Sequence, residues 1–444
     1  MKKLFAKWFR EPELSPAQVD ESGHITDPKI LNRDRLKFGI GCIMYQSEEV
    51  GLGPIHTLIV RLLGGGNVAL SLVAGASCAT SLVQWFGAVL LRRTGSNRKA
   101  MIWALAGGVL FGLILFAALW LKVIQPKWGL AAMTLYVIGS YGLAAASGMQ
   151  NNIESSWIGD LVPLNRLGSF TSVKWVIGAL GMLFFTIGFG QVAEKFPYLY
   201  AMAWLYLFVA FSHLAALVLI GTVTDRKPQT VKFVTTDSAD RIDYRNKALW
   251  CYIWFYLTWA GGRTALVAFT AAYMMDYFKF GMGKITLLFA LQSAVNLVML
   301  LVVGKLSDKI GARKPLIVIS GFVALCMLLW PASAWLGVTA LIIYQVLNGM
   351  AGTTHNMLGI NYSLEIFPAK GRAAYIGFAR MFIGVSALVA TVAAGYIMNW
   401  IGDWQMTLGG VTLNHYHLFF TGGTIFTASC ISPLMICRGQ AAEK

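Results

Sequence analysis

Runs of about twenty mostly apolar residues, the length needed to cross a bilayer, recur along the whole chain. They fall at about 37–60, 67–91, 100–121, 129–153, 169–192, 198–222, 248–274, 284–304, 315–332, 337–361, 373–400 and 416–437. In hydrocarbon every backbone N–H and C=O must be satisfied within the protein, which leaves helices or closed barrels. Barrel strands alternate apolar and polar residues, whereas these runs are continuous. The chain therefore reads as an all-α membrane protein of twelve spanning helices. Composition agrees: 57% of residues are hydrophobic and 13% charged, more apolar surface than a water-soluble fold can hide. No apolar stretch precedes residue 37, so no cleaved signal is expected.

The net charge of +16 invites a nucleic-acid reading, but the cations sit in short loops beside apolar runs. Orientation in a membrane accounts for them better. Six fall in the expected outer loops: Arg61, Lys122, Lys127, Lys195, Lys279 and Lys284. Arg263 lies inside a span, and the remaining Lys and Arg are assigned to the inner side. An even number of spans then places both termini in the cytoplasm of a cell with this protein in its inner or plasma membrane. The expected organisation is a cytoplasmic tail at 1–36, a six-helix bundle at 37–222, a basic linker at 223–247, a second bundle at 248–437 and a tail at 438–444. The stretch Asn399–His415 is an outer loop. The six cysteines lie in or at the ends of apolar runs with no Cys-x-x-Cys pair, so neither a disulfide framework nor a zinc site is expected.

Gly304–Pro315 reads as a charged turn between two apolar helices. Gly304 allows close approach of helix ends, Pro315 suits a first helical turn, and Lys305, Lys309, Arg313 and Lys314 mark the cytoplasmic side. The pattern Gly-x-Leu-x-Asp-Lys-x-Gly-x-Arg-Lys, carried by Gly304, Leu306, Asp308, Lys309, Gly311, Arg313 and Lys314, resembles the signature loop of the major facilitator superfamily of transporters. The resemblance implies two pseudo-symmetric six-helix halves, with this loop joining the second and third helices of a half. It also implies transport by alternating access, with Gly304, Asp308, Gly311, Arg313 and Lys314 in an inner gate. In the first half the loop is degenerate: Gly87 and Arg98-Lys99 match, but Leu91 stands where the acid belongs. The sugar-porter Pro-Glu-Ser pattern after the sixth span is absent. So are the Gly-Pro pair of drug antiporters in the fifth span and an Arg in the fourth. The subfamily stays unassigned.

An internal repeat supports two halves. Asp160, Pro163 and Arg166 follow the fourth span, and Glu365, Pro368 and Arg372 follow the tenth. The acid, the proline and a later aromatic pair, Phe170 and Tyr375, keep one offset, 365 − 160 = 205. Asp160, Arg166, Glu365 and Arg372 are therefore grouped with the inner gate.

Charges at bilayer depth are costly and usually functional. Gln46, Glu48 and Glu49 lie inside the first span, followed by Gly51, Gly53 and Pro54, which loosen a helix. Neighbouring residues point about 100° apart, so one glutamate is expected to line a central cavity and the other to pack between helices. Arg263, in the repeat partner of the first span, remains charged and needs an anion: a glutamate or an acidic substrate. Gln292, Asn296, Asn348 and His355 complete the expected substrate and coupling set. Trp157, Trp254 and Trp259 are candidates for stacking on a ligand or for an interfacial belt.

No His-Glu-x-x-His, serine elbow or phosphate-cradling glycine loop occurs, so an enzyme is not expected. The sequence points instead to a secondary transporter of a small polar solute, a sugar or organic anion, coupled to a proton or a cation such as sodium. The alternatives are a facilitator, an efflux antiporter or a solute sensor. No cofactor, metal or nucleic-acid partner is expected, and the chain is expected to work as a monomer in the lipid bilayer.

Overall fold

The computed structural model describes residues 24–48, 53–162, 164–225, 242–310, 313–367 and 372–436. The chain divides into two compact units, Met1–Gly64 with Ala79–Val234, and Gly65–Cys78 with Thr235–Lys444. The first half of the second expected span thus clusters with the second unit.

In chain order come α1 (Pro28–Tyr45), α2 (Ile55–Leu62), α3 (Asn67–Thr94), α4 (Asn97–Ile124), α5 (Gly129–Leu161), α6 (Leu164–Lys195) and α7 (Leu199–Ile220), all in the first unit except residues 67–78 of α3. Local signals set their starts. Asp27 caps α1 by accepting from the Lys29 amide at 2.8 Å, with Pro28 at the first helical position. Ser96 caps α4 through the Lys99 amide at 3.1 Å. Helix α4 packs against α5 and α7, and α1 against α6 and α7.

The second unit holds α8 (Lys247–Asp276), α9 (Met282–Ile310), α10 (Arg313–Met327), α11 (Leu329–Leu336), α12 (Val338–Ile366), α13 (Arg372–Ile401), a hairpin, α14 (His415–Ala428) and α15 (Ile431–Ile436). Helix α8 packs on α13 and α14, and α12 on α9 and α10. Both units use the same device where the fourth helix of a half meets the second. A Cβ at Gly148 of α5 would strike the Thr80 carbonyl of α3, and one at Gly349 of α12 would lie 2.5 Å from the Gln292 carbonyl of α9. Only glycine lets these backbones touch.

Among the described residues, eight helices are long and apolar enough to cross a membrane. The first, ninth and twelfth expected spans are each broken, among the described residues, into more than one helical piece. Several expectations need correction. The first span is not one helix: α1 ends at Tyr45 and α2 starts at Ile55, as Gly53 and Pro54 favour. Gly304–Ile310 is not a turn but the last stretch of α9, because none of Lys305–Ile310 breaks a helix. Asp160 and Glu365 lie in the final turns of α5 and α12 rather than beyond them. The loop between α13 and α14 contains an antiparallel hairpin, Gln405–Leu408 with Val411–Asn414. Its turn is Gly409-Gly410, with φ of 59° and 77°, the left-handed pair that two-residue hairpins need. Cys251 is disulfide-bonded, against the expectation from spacing, while Cys42, Cys78, Cys326 and Cys430 are free.

Candidate functional site

Two buried ionic clusters occupy the interior of the first unit. Glu48, just beyond the end of α1, is 1% exposed. Its Oε2 lies 2.9 Å from Nε2 of His213 on α7, a histidine with no exposure at all. The other ring nitrogen, Nδ1, donates to the Val209 carbonyl at 2.9 Å. In the second cluster Lys174 of α6 is ion-paired with Oε2 of Glu154 on α5, and the Tyr45 hydroxyl of α1 donates to the same oxygen at 3.0 Å. Oε1 of Glu154 has no partner. One carboxylate oxygen thus ties α5 to α6 and α1. Nearby, Gln46 buries a side-chain oxygen without a partner. A neutral chain runs from His56 Nδ1 to the Tyr136 hydroxyl at 2.5 Å and on to Tyr206 at 2.8 Å.

The second unit carries polar groups with few partners. Arg263, near the middle of α8, donates from Nη2 to Oδ1 of Asn348 at 3.4 Å, and its buried Nε has no partner. Gln345, Asn348 and His355 share a face of α12, being three and seven residues apart, and all three are buried. Neither side-chain atom of Gln345 and neither ring nitrogen of His355 has a partner. The His355 ring stacks on Trp259 at 3.7 Å between centroids and 12° between planes. Gln292 and Asn296 are half-buried, one turn apart on α9.

The gate residues divide. Asp160 accepts from Nδ2 of Asn97, the first residue of α4, at 2.8 Å. This contact belongs to a polar collar closing one end of the first unit. Ser96 is bonded to Asp225. Arg33 donates to the Thr224 hydroxyl at 3.0 Å, the Thr224 amide to Asp34 at 3.3 Å, and Trp157 Nε1 to the Thr224 carbonyl at 3.0 Å. Trp157 is therefore a structural residue, with its edge on Phe38 at 5.2 Å. Trp254 is exposed. The first residues of the expected linker belong to this collar, and its last are fastened to the second unit by the Asp243 amide on the Tyr375 hydroxyl at 2.8 Å. Arg313 and Lys314 open α10, Lys314 exposed. Glu49 and Gly311 lie outside the described residues. Gly304, Asp308, Arg166, Glu365 and Arg372 sit on helical backbone, but their side chains are outside the description.

Sequence reasoning missed His213 and Lys174. The charge pattern groups Lys174 with the inner-side cations, yet it is 2% exposed. Each was detectable as an ionisable residue within an apolar run. Among the described residues, Arg263 makes no ion pair.

The family model described as Major Facilitator Superfamily matches residues 38–344 and 260–413. The chain belongs to this superfamily of transporters and is a multi-pass membrane protein with the twelve-span helical fold. No curated protein matches it. A solved D-xylose-proton symporter is similar with a TM-score of 0.72 at 15% identity, over 91% of this chain and 97% of that one. A mutant of the nucleoside transporter NupG gives 0.69 at 15% identity, over 92% and 99%. A bacterial homologue of the iron transporter ferroportin, in its inward-facing state, gives 0.64 at 13%, over 91% and 98%. At these identities the likeness is one of fold.

Proposed function

We propose that the protein is a proton-coupled symporter of a small polar solute, working as a monomer by alternating access, with both termini in the cytoplasm of a cell membrane. The observation that carries the coupling is the Glu48–His213 pair. The Val209 carbonyl can only accept, so Nδ1 of His213 carries a hydrogen. The 2.9 Å contact between Nε2 and Oε2 then requires one further proton, on the nitrogen or on the oxygen. Both arrangements hold that proton between the two side chains. Without it, a carboxylate would face an imidazole lone pair in a site closed to water. Such a site releases its proton only when a conformational change opens it, which is the behaviour symport needs. Sodium fits the pair less well, since hard cations take several oxygen ligands. The resemblance in fold to a xylose-proton symporter is in keeping with this reading. Gln345, Asn348, His355 and Arg263 form the proposed solute site, with Gln292 and Asn296 beside it on α9. Asp160 in the first unit and the signature stretch 304–314 in the second are each assigned a gating role.

The test is transport in vesicles, using a solute found by thermal-shift screening of sugars, organic anions and peptides. E48Q and H213Q should abolish accumulation driven by a pH gradient yet keep counterflow of labelled solute. Accumulation at the wild-type level in either variant would refute the coupling. A plain facilitator would show no pH-driven accumulation in the wild type.

A further inference from the structure

We infer that the solute bound by the second unit carries an anionic group, a carboxylate or a phosphate, that pairs with Arg263. This inference rests on the transport reading above and specifies its substrate. A guanidinium stays charged at any working pH and presents five donors in a fixed fork. Here a single long contact to a neutral amide oxygen, Asn348 at 3.4 Å, is its hydrogen bond, and the buried Nε has none. Among the described residues, the acids of the second unit lie at or beyond helix ends: Asp243, Asp276, Asp308, Glu365 and Asp403. Among the described residues none of them pairs with Arg263. Asp276 instead accepts from the Tyr416 hydroxyl at 2.5 Å.

The groups around the arginine favour a ligand rather than a structural counter-ion. Gln345 and His355 flank Asn348 on one face of α12, and both are fully buried with every side-chain nitrogen and oxygen unpartnered. Buried polar groups are normally satisfied, and leaving them bare is costly. The three side chains beside this cation keep N–H groups free to donate, so together with the guanidinium they are complementary to an acceptor-rich anion. A bidentate carboxylate or phosphate would occupy the guanidinium fork and leave the amides of Gln345 and Asn348 to read the rest of the molecule. The Trp259–His355 stack fixes the imidazole beside them.

The experiment compares matched twins that differ in one anionic group: glucuronate against glucose, lactate against propane-1,2-diol, and glycerol 3-phosphate against glycerol. Thermal stabilisation of the purified full-length chain is measured in nanodiscs of phosphatidylcholine alone, then with phosphatidylglycerol added. At least one charged member should half-saturate at a concentration tenfold or more below its twin. R263Q should erase that preference, and R263K should keep part of it, since lysine retains the charge without the fork. A melting point of the ligand-free R263K protein equal to the wild type separates binding from folding. The inference falls if no charged member outdoes its twin, if R263Q keeps the preference, or if phosphatidylglycerol stabilises the protein through Arg263 and no solute does. Counterflow in vesicles reads the underlying function separately. Charge-selective binding without counterflow upholds the inference and removes the transport reading, whereas counterflow of neutral members only does the reverse.

Discussion

Replacing Lys174 with methionine should be among the most damaging single changes in the first unit. Lys174 and Glu154 are both 2% exposed, and the carboxylate oxygen that meets the lysine also accepts from the Tyr45 hydroxyl at 3.0 Å. K174M keeps an unbranched apolar stem, one heavy atom shorter, and removes the cation. Glu154 is left as a buried carboxylate with one hydroxyl donor and a bare second oxygen. Removing one partner of a buried ion pair costs about 3–5 kcal/mol. The neutral double variant E154Q/K174M should recover much of that, because replacing both partners removes the uncompensated charge. Y45F should cost less, about 1.5–3 kcal/mol, the worth of one hydrogen bond to a charged group. The assay is a double-mutant cycle of E154Q, K174M and their combination, read by unfolding of the purified protein in detergent. A coupling of 1 kcal/mol or more, with the double variant more stable than K174M, is expected. Strict additivity of the two single changes would show that the two charges do not stabilise each other and would refute the reasoning.

Two further predictions follow from packing and orientation. G148A and G349A should each lower stability by about 1–3 kcal/mol, as overpacking does, whereas G159A, on the same helix as Gly148 but with nothing within 4 Å of its new Cβ, should be neutral or stabilising by up to about 1 kcal/mol. Thermal melts of the three variants settle this, and a harmless G148A would mean that α3 and α5 can part at no cost. In a background lacking reactive cysteines, D403C should react with an impermeant maleimide in intact cells and R93C only after lysis; the opposite pattern would invert the proposed orientation.

The helical architecture was legible because it rests on long apolar runs whose length the bilayer dictates. The edges were displaced outward because polar residues do not end a helix. Lys305–Ile310 continue α9, and Asn97–Lys99 open α4 on a serine cap. Lys174 was misplaced for the same reason. With α6 beginning at Leu164, it sits ten residues in, about 15 Å along the axis, and its partner is on another helix. His213 finds Glu48 across a separation of 165 residues, which no local pattern encodes. The hairpin did leave a signal, since Gly409-Gly410 lies between short segments of strand-forming residues. Glu48, Arg263, Asn348 and His355 were recognisable as polar groups in apolar surroundings; which of them meet, and which stay without partners, depends on packing.

The polar collar also sets a schedule for biosynthesis. Arg33 and Thr224 are 191 residues apart in the chain. At about 5–20 residues per second, roughly 10–40 s pass between the emergence of one and of the other from the ribosome. Throughout that interval α1 lacks the groups that fasten its first turns, and Trp157 lacks the carbonyl that its indole N–H finds in the finished unit. The first six spans can enter the membrane one by one, but they lock only when residues 222–225 arrive. A nascent chain halted at Ile220 would hold every helix of the unit and still lack its clasp.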